Sequence, residues 1–137
     1  FYPVLKEIDK DINFNTSDNI TIYADPDKLS RVFNNLIKNA ISYSSSNTNI
    51  DINVKKEQTK VIIEIINKGK TIPQDKLDKI FENFYRLDTS RTSKTGGSGL
   101  GLAISRKIVE LHHGTIVAVS TKEKTIFTVK LPLSKED

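Results

Sequence analysis

Three groups of residues have the types and spacing to do chemistry. Asn35 and Asn39 stand four apart in a stretch of helical periodicity, so their side chains share one helix face, a turn apart. Two amide oxygens beside a buried stripe suit a hard cation such as Mg²⁺, although a solvated polar face shows the same spacing. Asn67-Lys68-Gly69 follows an apolar run. A polar side chain at a buried strand end, followed by glycine, can offer a hydrogen-bonding group to a flat ring, and an ordinary turn reads alike. Gly96-Gly97-Ser98-Gly99-Leu100-Gly101-Leu102 holds four of the six glycines and opens a helix. Glycine backbone N–H groups close on phosphate oxygens, and a helix N-terminus adds partial positive charge; flexible loops also use glycine. No Gly-Lys-Ser/Thr follows, so this is not a Walker A loop.

The elements that must position these groups are legible from periodicity. Asp25 at an N-cap and Pro26 at the first helical position open a helix to about Tyr43. Leu29, Val32, Phe33, Leu36, Ile37, Ala40 and Ile41 form its apolar stripe. Short strands are expected at Asp11–Phe14 and Thr21–Ala24, and a short helix end near Val4–Asp9. Ile50, Ile52 and Val54 alternate with polar residues, as in a strand with one wet face. Val61–Ile66 reads as a central strand, joined to the previous one as a hairpin. A short helix is expected from Pro73 to Phe81, then a long polar loop over Tyr85–Gly97. Ser98 can cap a helix to about His112, and Thr115–Ser120 with Thr125–Leu131 form a second hairpin. The expected fold is α/β, a two-layer sandwich: a mixed, mostly antiparallel sheet with helices on one face.

Composition sets the bounds. At 137 residues, the chain is long enough for one domain with its own core. It has no cysteine, which excludes disulfides, thiol nucleophiles and cysteine-based zinc sites. It also has no methionine and opens Phe1-Tyr2-Pro3, so we expect a piece of a longer protein, 1–137 being one domain of it. Apolar runs are far shorter than the roughly 18 residues of a membrane span. The net charge of +4 comes from interspersed charges of both signs, an ordinary solvated surface. With no basic stripe interleaved with aromatics, no nucleic-acid partner is expected.

The three motifs, in this order, resemble the catalytic and ATP-binding domain of bacterial two-component sensor histidine kinases. That domain belongs to the Bergerat-type (GHKL) ATPase superfamily, with gyrase and a class of heat-shock chaperones. Asn34-Asn35-Leu36-Ile37-Lys38-Asn39-Ala40 is similar to the family's N box, and Asn67-Lys68-Gly69-Lys70-Thr71-Ile72 sits at the G1 box. Ile80-Phe81-Glu82-Asn83-Phe84-Tyr85-Arg86 resembles the F box, and Gly97-Ser98-Gly99-Leu100-Gly101-Leu102-Ala103-Ile104 the G2 box. The wording around Asp88–Gly101 resembles the vancomycin-resistance sensor kinases of Gram-positive bacteria.

The resemblance implies ATP and Mg²⁺ as cofactors, with Asn39 and Asn35 serving the metal and the phosphates. It implies that Tyr43 lines the nucleotide pocket, with Gly69 and Ile72 of the G1 box. Asn67 occupies the place of the acid that binds the adenine amino group. Phe84–Ser98 corresponds to a mobile ATP lid, with Arg86, Arg91 and Lys94 as cations for the γ-phosphate, Arg86 first. Gly97, Gly99, Leu100, Gly101 and Leu102 approach the phosphates, and Thr125 closes the set. Four positions depart from the family pattern: Asn67 for the acid, Thr71 for a glycine, Ser42 for a basic residue, and Lys124 for a glycine.

The implied function is donation of the ATP γ-phosphate to a histidine on the dimerisation domain of the parent kinase, for relay to a response regulator. The domain is expected to be monomeric alone and cytoplasmic, its parent a homodimer anchored in the membrane. His112 and His113 lie outside any phosphoacceptor context, so no autophosphorylation of the isolated domain is expected. Hydrolysing relatives place a Glu four residues before the Mg-binding Asn; this chain has Asn35 there, and an amide does not accept protons at neutral pH. A nucleotide-binding module that hydrolyses ATP or only senses it is the alternative. Mg-dependent ATP binding separates a nucleotide site from a bare scaffold.

Overall fold

The computed structural model describes residues 25–45, 48–82 and 101–133 in full, and the backbone of 12–16. The elements are β1 (Ile12–Thr16), α1 (Pro26–Tyr43), β2 (Ile50–Glu57), β3 (Lys60–Lys68), α2 (Gln74–Leu77), α3 (Gly101–Leu111), β4 (Thr115–Thr121) and β5 (Lys124–Pro132). The strands form one five-stranded sheet in the order β1-β2-β3-β5-β4. β1 runs parallel to β2, and every other pair is antiparallel. This is the mixed, mostly antiparallel sheet expected from the strand patterns. The first strand lies at Ile12–Thr16, one residue later than its sequence pattern suggests at the start and two at the end. Its pairing with Ile50–Val54 sets those limits. The expected helix end near Val4–Asp9 and the strand at Thr21–Ala24 fall outside the described residues.

α1 forms where its caps and stripe demand. The Asp25 carboxylate accepts the N–H groups of Asp27 at 3.0 Å and Lys28 at 3.2 Å, satisfying two of the donors that a helix start leaves unpaired. Leu29, Val32, Leu36, Ile37 and Ala40 are buried, with Phe33 and Ile41 packed at the margin. Each large apolar side chain buried this way contributes roughly 1.5–3 kcal/mol.

On the sheet, odd-numbered residues of β3 and β5 face the helices. The core comprises transverse rows fixed by register: Ile52–Ile65–Phe127–Ala118, then Val54–Ile63–Val129–Ile116. One row is different. Ile50, Asn67, Thr125 and Ser120 align across β2, β3, β5 and β4, and all four are buried. The helix-covered face is thus apolar except at one end, where a polar row lies beside the C-terminal end of α1.

α3 ends in a Schellman motif: Gly114 N–H binds the Val109 carbonyl at 2.9 Å and His113 N–H the Glu110 carbonyl at 3.0 Å. His113 takes the left-handed conformation this requires, with φ of 64°. His112 uses both ring nitrogens: Nδ1 lies 2.8 Å from the Ile108 carbonyl, and Nε2 accepts the Asp25 N–H at 3.1 Å. The acceptors fix one arrangement, Nδ1 carrying the proton. This histidine therefore joins the end of α3 to the cap of α1.

Candidate nucleotide site

Asn39 is half-buried on α1, and its Nδ2 donates to the Asn35 carbonyl one turn back, at 2.8 Å. A carbonyl only accepts, so this bond fixes which amide atom is nitrogen. No hydrogen bond to Oδ1 is seen among the described residues, and it is the atom suited to a hard cation. Asn35 donates Nδ2 to the Gly101 carbonyl and to Ser105 Oγ, both at 3.2 Å. Gly101 opens α3, and Ser105 is wholly buried on it. The first helical turn of the glycine-rich motif is therefore tied to the asparagine pair across more than 60 residues. Ser105 is a site residue that the sequence did not mark.

The second part of the site is the polar row. Ile72 N–H donates to Ser120 Oγ at 2.8 Å, and Ser120 Oγ lies 2.9 Å from Thr125 Oγ1. Every heteroatom of that chain is engaged. Asn67, next to Thr125 in register, is 1% exposed, and neither its Oδ1 nor its Nδ2 has a partner. A buried amide without partners costs about 1–3 kcal/mol, which stability alone does not explain. An orphaned donor and acceptor side by side is the arrangement that a heteroaromatic ring edge satisfies. Ser120 was also invisible as a site residue in the sequence.

Gly69 and Thr71 hold the loop after β3. A Cβ on Gly69 would collide with the Tyr43 carbonyl oxygen, so only glycine lets the strand end meet the end of α1. Ser45 N–H binds the Lys68 carbonyl at 2.7 Å, and Gly69 N–H the Glu123 carbonyl at 2.8 Å, on either side of that contact. Thr71 Oγ1 accepts the Glu123 N–H at 2.9 Å. Thr71 therefore braces the loop against the β4–β5 turn. The Gly69 contact sets Tyr43, the last residue of α1, beside the end of β3 that holds Asn67.

Leu102 stands in the first turn of α3 with its side chain in the core. The start of the expected F box is anchored: the Phe81 ring meets Phe127 edge-on at 6.2 Å, and the Arg106 guanidinium lies 5.6 Å from the Phe81 centroid. Phe84, Arg86, Arg91, Lys94, Gly97, Gly99 and Leu100 lie outside the described residues. Among the described residues no group of three or more His, Cys, Asp or Glu could hold a metal ion. A cation here would rest on amide oxygen and on what the nucleotide brings, the usual habit of Mg²⁺. Among them too, no helix is long and apolar enough to cross a membrane.

Residues 24–135 match the family described as histidine kinase-, DNA gyrase B-, and HSP90-like ATPase. The sensor protein VanS of Enterococcus faecium is 49% identical over 132 residues, 96% of this chain and 34% of that protein. The sensor protein kinase WalK of Staphylococcus aureus is 46% identical over 111 residues, 79% of this chain and 27% of that protein. The chain thus spans about a quarter to a third of the length of these relatives. The catalytic domain of histidine kinase ThkA superposes with a TM-score of 0.84 at 31% identity, covering 99% of this chain and 87% of that one. With residues 24–135 matched, the chain belongs to the histidine kinase-, DNA gyrase B- and HSP90-like ATPase family.

Proposed function

We propose that this chain binds Mg·ATP and donates the γ-phosphate to a histidine on the dimerisation domain of its parent sensor kinase. The observation that carries the reading is the orphaned Asn67 amide, buried in the polar row, with Asn39 on the adjoining helix turning its Nδ2 to the Asn35 carbonyl. Asn67 meets the purine edge, Tyr43 and Ile72 flank the pocket, and Asn39 with Asn35 serves the phosphate end. Asn39 and Asn35 would hold Mg²⁺, which would supply charge neutralisation on the phosphates. Gly97, Gly99, Leu100, Gly101 and Leu102 bring backbone N–H groups to the same phosphates. Arg86 balances γ-phosphate charge from the lid segment. In the transfer, an imidazole nitrogen forms a bond to the γ-phosphorus, the bond to the bridging oxygen breaks, and ADP leaves. The work of the domain is positioning and charge, since phosphoryl transfer needs little covalent help.

The parent is a membrane-anchored homodimer with this domain in the cytoplasm, and the phosphate passes on to a response regulator. A ThkA structure is described as a complex with the response regulator protein TrrA; 38% of that ThkA chain is covered here, at 29% identity and a TM-score of 0.79. Similarity to VanS supports a role in antibiotic-resistance signalling.

The test is an ATP titration with and without Mg²⁺, following backbone amides of Asn39, Gly69 and Gly101 by NMR. Saturable shifts at all three, tighter with Mg²⁺, are expected. No response to ATP in either condition overturns the reading.

A further inference from the structure

The amide of Asn67 differs from a carboxylate in one respect that matters for a base. A carboxylate offers only acceptors, whereas an amide offers an acceptor and a donor side by side. Facing the 6-amino group and N1 of adenine, Oδ1 accepts from N6–H and Nδ2 donates to N1. Rotated by half a turn, the same amide donates to O6 of a 6-oxopurine and accepts from its N1–H. Both pairings use both atoms.

Which rotamer prevails depends on what holds the amide. Here nothing in the protein does, since Oδ1 and Nδ2 are both buried and both unpartnered. The neighbouring hydroxyls do not bias it: Ser120 and Thr125 are engaged with each other and with Ile72 N–H. Asn35 and Asn39 are the contrast, because the Gly101 and Asn35 carbonyls fix their amide nitrogens.

We infer that Asn67 makes this site tolerant at the purine 6-position, so that it takes 6-oxo as well as 6-amino purine nucleoside triphosphates. The inference rests on the nucleotide-site reading above. A carboxylate at position 67, with the base in the same register, accepts from the 6-amino group but faces O6 with a second acceptor. Selectivity at such an edge comes from leaving buried polar groups unpaired.

The probe is inosine triphosphate, which carries O6 and N1–H without the 2-amino group of guanine, so steric exclusion at C2 plays no part. Dissociation constants for ATP and inosine triphosphate are measured with Mg²⁺ on the wild-type domain and on Asn67→Asp. The wild-type constants are expected to lie within about tenfold of each other, and the ratio to widen by at least about tenfold in Asn67→Asp. A wild-type ratio in favour of ATP beyond tenfold overturns the inference, as does a ratio unchanged by Asn67→Asp. Thermal unfolding of the variant checks its fold. If Asn67→Asp does not fold, the wild-type ratio alone decides. Failure of the wild type to bind either nucleotide would instead overturn the nucleotide-site reading itself.

Discussion

Asn35 Nδ2 reaches Ser105 Oγ at 3.2 Å, joining the middle of one helix to the first turns of another across 70 residues of sequence. Ser105 is wholly buried, so its hydroxyl meets no water that could replace the bond. The same Nδ2 also holds the Gly101 carbonyl, which fixes how the glycine-rich helix start faces the asparagine pair. Ser105→Ala is therefore expected to lower stability by about 1 kcal/mol. It should also weaken ATP binding, because Asn35 loses one of its two anchors. Denaturant unfolding and an ATP titration check this. Unchanged values in both would show that the contact is incidental.

Asn39→Ala is expected to abolish the Mg²⁺ dependence of ATP binding while the fold survives. The lost bond from Nδ2 ends on a carbonyl of its own helix, one turn back. Alanine is the better helix former, so stability should change by less than about 1 kcal/mol. Titrations with and without Mg²⁺ are the measurement. Retained Mg²⁺ dependence at wild-type affinity would remove Asn39 from the metal site.

Asn67→Leu should separate stability from function with opposite signs. Leucine has a similar volume and no orphaned polar atoms, so the nucleotide-free domain is expected to gain about 1–3 kcal/mol. ATP affinity should fall by roughly tenfold or more, because the base edge is left unpaired. Thermal unfolding without nucleotide and calorimetric ATP binding give the two readings. A loss of stability would mean that Asn67 has a partner in solution. Unchanged affinity would take the residue out of the pocket.

His113→Gly is expected to stabilise the domain by about 1 kcal/mol. His113 holds φ of 64° at the Schellman position, where a Cβ is strained and glycine is not. Its backbone bond to Glu110 is kept by glycine. An increase in the unfolding midpoint, with ATP affinity unchanged, is the expected result. A decrease would assign the histidine ring a contact that outweighs the strain.

What the sequence conveys and what it hides divide along physical lines. α1 is legible because Asp25, Pro26 and the Leu29–Ile41 stripe all act within one helix. The hairpins are legible because apolar residues alternate with the strand period in β2 and β5, while Val61–Ile66 is a short, nearly continuous apolar run. The order of the strands is not local: the β3–β5 pairing and the parallel β1–β2 pairing join segments far apart in sequence. The His113 and Lys122–Glu123 conformations are hidden, since positive φ is usually advertised by Gly, Asn or Asp, and these residues are none of them. Ser105 and Ser120 are hidden for another reason. A lone serine in a helix or a strand looks like any other half-polar position. Only packing brings Ser105 to Asn35, and Ser120 to Ile72 and Thr125. Asn67 was marked from its place after an apolar strand. That both its polar atoms lack partners is a property of the fold.

The isolated domain is expected to bind ATP yet hydrolyse it very slowly and keep no phosphate. Hydrolysis needs a base on the attacking water, and Asn35 stands where hydrolysing relatives carry Glu. Its Nδ2 is committed to Gly101 and Ser105, and an amide oxygen takes up no proton at neutral pH. Self-phosphorylation needs a histidine with a free ring lone pair. His112 has none, because Nδ1–H is directed to the Ile108 carbonyl and Nε2 accepts the Asp25 N–H. His113 closes the Schellman turn between α3 and β4, outside any phosphoacceptor context, so it too is expected to stay unlabelled. Mixed with a helical dimerisation domain carrying a phosphoacceptor histidine, the same domain should deliver the γ-phosphate to that side chain as an acid-labile phosphoramidate. Radiolabelled ATP with acid and base quenches distinguishes the outcomes. Rapid release of inorganic phosphate by the domain alone would favour hydrolysis over transfer; label on His112 would mean that the α3 terminus opens in solution, and label on His113 would make that residue an acceptor.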